Sequence, residues 1–519
     1  MDLPDIVYLV ANFLSQNDQA RLAQVSRFYF QLVIPLAWRT VTGTTPLFRL
    51  LPGVRVETPG VLTGTETIYF PRNLDTTDFA RFEFYAKFVE HLLLFKNPAV
   101  VTKVNEWAEL LRYTSDNILL PSLLSISSGT YWPQSIPHYA WFAIFSSPSV
   151  RRIEINPLVR RKLPTVSSEI ASAIFDLLID RCPNLDSFSI FVDPKQRTSP
   201  LETGFLRSDA CRRETNGGFL GTIKHVRRLT CTTSTVSHCQ NTLLLLGRIP
   251  KLEDLKLYAS QQDTNMLPGI SLEPEAFSCL RSLTLYDFGA HATLSILNSL
   301  ASTADLTQLT LEINHITNNS DEVSSVGRFY NTMLIPAICA QAPRLTHLSI
   351  RPMWKNESQV EIDNSSLRLL ASLNLKSFTS ARTHTNVEYL AKLFPQIQTL
   401  RWPDQPVTLD QLKQFATYDQ LEHLSLKLDL SPPCTMKPPC DRALTPPTLC
   451  VLESDYSSFD SLNHDETRQL LKRLARLGSR PLALQQTAPF DYPNYDFAAK
   501  KRLEELNKKL ERIHQGVEI

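Results

Sequence analysis

Apolar and polar positions follow two rhythms along the chain. Over the first forty residues the rhythm is helical. Ile6, Val10 and Phe13 fall at i, i+4 and i+7 behind Leu3 and Pro4, and proline is tolerated only in the first turn of a helix. A helix is therefore predicted from about Pro4. The polar break Ser15-Gln16-Asn17-Asp18 holds good capping residues and opens a second helical segment with Leu22 and Val25 on one side. Ser26 can cap a third helix carrying Phe28, Leu32 and Val33, which Pro35 is expected to interrupt before Leu36, Trp38 and Val41. Three short helices bury little apolar surface by themselves, so they must lean on a partner or on the following domain.

Beyond residue 120 the rhythm shortens to a period of two. The pattern is an apolar residue, two others, an apolar residue, one other and then often a third apolar residue, as in Leu252-Glu253-Asp254-Leu255-Lys256-Leu257, and it starts at 123, 150, 185, 226, 252, 280, 306, 345, 375, 397, 421 and 449. Each occurrence reads as a strand. Most of the intervals lie close to the 20–29 residues of leucine-rich repeats. Helix-like apolar stretches fill the intervals, for example at 170–178 and 389–394. One strand and one helix per unit describes a solenoid, in which each unit buries its apolar face only by stacking on its neighbours.

The predicted organisation is a helical segment over 1–43, a helical connector with a first irregular repeat over 44–120, repeats over 121–456, and a C-terminal helical cap over 457–519. Within the connector, 79–92 is expected to be a helix leading into a first strand. Within the repeats, 193–222 is a polar loop insertion and 431–448 a proline-rich extended segment. Near the end, Leu503, Leu506, Leu510 and Ile513 mark an amphipathic helix over 497–514, which would cap the last repeat or make a short coiled-coil contact.

The run LPDIVYLVANFLSQNDQARLAQVSRFYFQLVIPLAWRTV resembles the F-box. Leu3-Pro4 opens it, Val25-Ser26-Arg27 stands at its centre and Leu36-Ala37-Trp38-Arg39 closes it, with Tyr29 where the family often has tryptophan. The order of helices and then strand units, including Leu400-Arg401-Trp402, resembles fungal (basidiomycete-type) F-box proteins with C-terminal leucine-rich repeats. That resemblance implies an α/β chain: a short all-α F-box followed by an irregular leucine-rich-repeat solenoid. It also implies that Leu3, Pro4, Ile6, Leu9, Phe13, Leu14, Leu22, Val25 and Trp38 contact a Skp-family adaptor and, through it, a cullin-based ubiquitin ligase. The repeats would then hold an unidentified target protein. The alternative reading is a repeat scaffold with no ligase role.

In such a stack the two leucines of Leu-x-Leu point into the core, so the residue between them and the one after face the concave surface. The candidates for partner contact are Glu154, Lys256, Tyr258, Thr284, Tyr286, Thr310, Glu312, Arg351, Arg401 and Lys427, with Ser189 and Phe191 also on this face. Tyr258 and Tyr286 hold equivalent places in adjacent units and would form an aromatic patch of the kind enriched at interface hot spots.

Composition narrows the chemistry. The 53 basic side chains nearly cancel the 52 acidic ones, leaving +1, so no global field favours nucleic acid or an anionic membrane. Glycine is scarce, 15 in 519, and the GxGxxG, GxxxxGK[ST] and GxSxG signatures are all missing. The nine cysteines are scattered without a CxxC pair, which reads as reduced thiols rather than as a metal site. The basic doublets, such as Arg151-Arg152 and Arg227-Arg228, read as solvated faces. The expectation is a cytoplasmic or nuclear binding protein that is no enzyme and has no cofactor or metal.

Overall fold

The computed structural model describes residues 3–57, 65–71, 74, 79–95, 101–105, 107–131, 138–157, 163–193, 195, 225–235, 239–260, 272–273, 275–300, 305–314, 327–352, 361–380, 382–383, 387–415, 418–429, 448–454, 464–475, 482–486 and 497–515. All of the 193–222 insertion except Asp193 and Lys195, and all of 431–448 except Thr448, lie outside the described residues. The chain divides into two compact units, Met1–Leu252 and Glu253–Ile519.

The first unit opens with three helices, α1 (Leu3–Phe13), α2 (Gln16–Ala23) and α3 (Arg27–Arg39). Ser15 and Ser26 are the caps of α2 and α3, their hydroxyls accepting the backbone N–H of Asp18 and Tyr29, each at 3.3 Å. Pro35 does not interrupt α3, contrary to the sequence reading; the helix runs through it to Arg39. An internal proline costs about 3 kcal/mol. Val33, Ile34 and Ala37 are buried on either side of it, and that packing offsets the lost hydrogen bond. Two glutamines lock the three helices together. Gln16 Nε2 donates to the carbonyls of Ala37 (2.8 Å) and Thr40 (2.7 Å), and Gln19 Nε2 donates to Ala11 (2.9 Å). These carbonyls lie at the C-terminal ends of α1 and α3, where the i→i+4 ladder runs out.

From α3 the chain passes directly into a strand, Thr40–Thr42, which pairs in parallel with His91–Leu93. The sheet thus begins earlier than the repeat spacing indicates. The helix expected over 79–92 spans only Ala80–Ala86, because Leu92 is required in the sheet, where it is buried between Val41 and Ile126. The strands Ser125–Tyr131, Arg152–Pro157, Ser187–Ile190 and Arg228–Thr232 follow in sequential, parallel order. A separate three-stranded sheet joins Arg55–Glu57, Thr65–Tyr69 and Val101–Asn105.

In the second unit Asp254–Tyr258, Ser282–Gly289, Gln308–Asn314, His347–Pro352, Ser377–Thr379, Thr399–Thr408, His423–Asp429, Val451–Ser454 and Ala483–Gln486 again pair in parallel and in chain order. Helices between the strands, such as Ala290–Ser299 and Asn364–Leu370, complete the coils. One backbone device recurs at every step from Glu253 to Val451. The carbonyl just before each strand accepts two consecutive N–H groups of the next coil; Glu253 takes Arg281 and Ser282, and Arg281 takes Thr307 and Gln308, all at 2.9 Å. Identical local geometry repeated coil after coil is what defines a solenoid.

Each of the twelve sequence motifs holds a strand beginning two residues after its first apolar position. Leu255, Leu283, Leu309, Leu348, Phe378, Leu400, Leu424, Leu452 and Leu484 stack in one register row, each at most 1% exposed. Burying such a side chain contributes roughly 1.5–3 kcal/mol, so this row is the core of the unit. Among the described residues of this unit, two bulges correct the phase of the alternation. One falls between Tyr286 and Phe288, where Asp287 takes a left-handed backbone (φ 64), and it turns Phe288 inward to full burial. The other falls between Trp402 and Pro406. The C-terminal helix spans Phe497–His514 and buries Leu506 and Leu510.

Candidate partner-binding surfaces

Exposed apolar side chains concentrate at the N-terminus. Of the twelve exposed large hydrophobic residues among those described, eight lie in the first 28: Leu3, Ile6, Tyr8, Leu9, Val10, Phe13, Val25 and Phe28. On α1 only Val7 and Ala11 are buried. At 100° per residue, Leu3, Ile6, Leu9, Val10 and Phe13 fall within about 120° of the helix circumference, beside the buried face. Phe13 is the extreme case at 89% exposed. Contiguous apolar surface of this kind marks interaction sites.

The residues expected to contact an adaptor therefore separate into two groups. Leu3, Pro4, Ile6, Leu9, Phe13 and Val25 are exposed, and Leu14 is half-buried. Leu22 and Trp38 instead pack onto the cluster of Val7, Ala11, Ala23, Val33 and Ile34. Trp38 lies 4.6 Å from Tyr85, centroid to centroid, and Phe30 lies 6.1 Å from Phe84. The aromatic-rich helix Ala80–Ala86 is thus what the three helices lean on. Arg39 Nε bonds Glu90 Oε2 at 2.8 Å, and Glu90 N–H bonds the Arg39 carbonyl at 2.9 Å, so α3 is clamped to the first coils of the sheet.

The outward positions of the strands carry the second candidate surface. Register pairs Tyr258 with Tyr286 and Glu312 with Arg351 across adjacent strands. The tyrosine rings stack at 4.4 Å and 27°. Lys256 and Lys427 are exposed, and Glu154, Tyr286, Thr310, Arg351 and Arg401 are half-buried. Tyr258 (7%), Thr284 (6%) and Glu312 (2%) point outward yet are covered. Strand neighbours sit only about 4.8 Å apart, so a large side chain such as Tyr286 hides those beside it. Phe191 departs from the expectation: the strand ends at Ile190, the alternation stops, and Phe191 is fully buried. Ser189 is buried at 5%.

At the far end of this row, His423 Nε2 lies 3.0 Å from Glu453 Oε2, and Arg401 Nε lies 3.8 Å from the same oxygen. Ser187 Oγ donates to Glu154 Oε1 at 3.2 Å in the first unit. Burial pushes the Cys182 and Cys231 thiols up to about 12 and that of Cys339 up to about 11, which keeps them protonated and poorly nucleophilic. No cluster of metal-ligating side chains occurs among the described residues. Nor is any described helix long and apolar enough to cross a membrane.

No family model matches the chain, and no curated protein matches it. Among solved structures, a chain in "Crystal structure of TLR13-ssRNA13 complex" is 14% identical with a TM-score of 0.33; the match covers 71% of this chain and 47% of that one. The chain thus spans about half the length of the structure it matches. The assignment to a leucine-rich-repeat type of solenoid rests on strand order, register and the recurring carbonyl device described above.

Sequence reasoning missed several residues. Gln16 and Gln19 carry no motif, because a polar residue on a short helix has many possible partners. Asn331 is similar: in the π-helical turn Tyr330–Leu334, its amide donates to the Glu361 carbonyl at 2.9 Å and its Oδ1 accepts the Asp363 N–H at 3.1 Å. Pro336 follows that turn. A proline has no N–H to close the i→i−4 bond, and that was the available signal.

Proposed function

We propose that the chain is the substrate-recognition subunit of a Skp–cullin–F-box type ubiquitin ligase. The N-terminal helices bind the Skp-family adaptor, and the outward strand face holds the target protein. The observation that carries this reading is the concentration of exposed apolar side chains on α1. Leaving Leu3, Ile6, Leu9, Val10 and Phe13 in water has no folding benefit, and they suit an apolar groove on a partner. The F-box resemblance of the same segment names that partner. The clamp between Arg39 and Glu90 supports a rigid link from the adaptor-binding helices to the first coils. In this role the protein contributes proximity, and other subunits carry out ubiquitin transfer.

Co-purification with a Skp-family adaptor tests the proposal. The intact chain is expected to bring the adaptor down, and replacing Leu3, Ile6 and Phe13 together by serine is expected to abolish capture while the thermal melt stays in place. An intact, folded chain that leaves the adaptor unbound would remove the ligase role and leave a repeat scaffold.

A further inference from the structure

The residues that lead into the strands of the first unit occupy a row of equivalent backbone places. Each carbonyl accepts two consecutive N–H groups of the next coil: Glu90 takes Leu124 and Ser125, Leu124 takes Arg151 and Arg152, Arg151 takes Asp186 and Ser187, and Asp186 takes Arg227 and Arg228. Two arginine doublets that are far apart in sequence therefore stand two coils from each other on one rim, with Asp186 in the coil between them. Asp186 serves only the later doublet: its Oδ1 lies 3.8 Å from Arg227 Nε and its Oδ2 3.0 Å from Arg228 Nη2. Two guanidinium groups of one coil thus clasp a carboxylate of the coil before.

Arg151 and Arg152 hold the same backbone places as Arg227 and Arg228, but the place of Asp186 is taken there by Leu124, an uncharged and half-buried side chain. Arg151 is exposed and Arg152 half-buried, and neither has an ion pair among the described residues. The carboxylates around them are already engaged. Glu90 Oε2 lies 2.8 Å from Arg39 Nε, and Glu154 Oε1 accepts the Ser187 hydroxyl at 3.2 Å. Arg39, Arg151, Arg152, Arg227 and Arg228 outnumber Glu90, Glu154 and Asp186, and the surplus falls on Arg151 and Arg152. The field of Arg152 extends towards the earlier coils: burial, and next to it the charge of Arg152, hold the His91 imidazole below its ordinary pKa, and His91 is the register partner of Ser125, the residue after Leu124.

We infer that Arg151 and Arg152 clasp an aspartate or glutamate side chain of the target protein over Leu124, as Arg227 and Arg228 clasp Asp186. The inference rests on the target-holding role proposed for this chain. The occupant is read from the molecule itself, since the equivalent doublet holds a carboxylate in the equivalent place. An exposed ion pair contributes little alone, but a segment lying along the rim shields the clasp from water, and two guanidinium groups on one carboxylate supply direction as well as charge. The clasp sets the register of that segment against the coils.

The test uses the full chain and fluorescein-labelled peptides, one rich in glutamate, one rich in lysine and one carrying phosphoserine in an otherwise uncharged sequence, read by fluorescence anisotropy. The glutamate peptide is expected to bind and the lysine peptide to fail. R151Q/R152Q should weaken glutamate-peptide binding about tenfold or more, the loss of one charge-assisted pair being worth a decade in affinity, and should melt with the parent because no ion pair of the described residues is removed. L124D places an internal carboxylate where Asp186 stands in the later coil, and should block the peptide while both arginines remain. A glutamate peptide that does not bind, equal binding of the acidic and basic peptides, parent-like affinity in R151Q/R152Q or in L124D, or binding confined to the phosphoserine peptide would each overturn the inference. Adaptor capture is measured on the same chains. Capture by a chain that binds no glutamate peptide refutes the clasp alone, whereas peptide binding by a chain that captures no adaptor refutes only the ligase role.

Discussion

Truncating Phe13 to alanine separates binding from folding. The side chain is 89% exposed, so its removal takes away almost no native contact, and folding stability should stay within about 0.5 kcal/mol of the parent. In a complex that buries the ring, the same truncation should cost about 1.5–3 kcal/mol. At 1.4 kcal/mol per decade that is a weakening of roughly 10- to 150-fold. Leu3 lies ten residues away, about 15 Å along the helix, so L3A should add independently, and the double variant should lose about 3–6 kcal/mol of binding. Trp38→Ala is the contrast. Its ring is packed against Tyr85 and on the helical cluster, so its removal should cost about 3–5 kcal/mol of folding stability. Calorimetric titration with a Skp-family adaptor, paired with thermal melts, reads both quantities. An F13A chain of unchanged affinity, or one that melts several degrees earlier, would refute the reasoning.

Three further outcomes are expected. Asn507 bonds both backbone groups of Leu484, accepting its N–H at 2.7 Å and donating to its carbonyl at 3.0 Å, so Asn507→Leu should cost about 2–4 kcal/mol locally; hydrogen exchange should speed up in Ala483–Gln486, and protection equal to the parent's would count against this cap. Leu309→Ala opens a void in the buried row between Leu283 and Leu348 and should lower stability by about 2–5 kcal/mol in urea unfolding; a loss below 1 kcal/mol would mean that the row is not the core. Burial raises the Cys182 and Cys231 thiols from 9.0 to about 12, so the folded state favours the neutral thiol. Their contribution is complete below about pH 9 and is lost as pH rises towards 12. C182A/C231A should therefore show a flatter decline in stability between about pH 8 and about pH 10 than the parent, and parallel curves would exclude this origin.

The difference between what was legible and what was not follows from range. The twelve strand positions were readable because the residue two places before each strand and the second residue within it are apolar, often followed by a third apolar residue two places on. The helix Phe497–His514 was readable from Leu503, Leu506, Leu510 and Ile513, and Ser15 and Ser26 from the oxygen that an N-terminal cap requires. All of these are local demands of a repeating backbone.

Tertiary structure decided the rest. Pro35 reads as a break, yet the packing of Val33, Ile34 and Ala37 carries α3 through it. His91–Leu93 reads as the end of a helix, yet pairing with Thr40–Thr42 makes it a strand. Phe191 reads as outward, yet the strand ends one residue too soon. The same holds for the candidate sites. The sequence put Leu3, Ile6, Leu9 and Phe13 among the candidate contacts of α1 only through the F-box resemblance, while their spacing predicted the helix and not which of its edges stays exposed. Only the folded chain set Trp38 and Leu22 apart from Phe13, buried Glu312 while leaving Lys427 in water, and brought Arg151 and Arg152 onto one rim with Asp186, Arg227 and Arg228. Those outcomes depend on which coil stacks on which, a long-range packing energy that no local window of sequence contains.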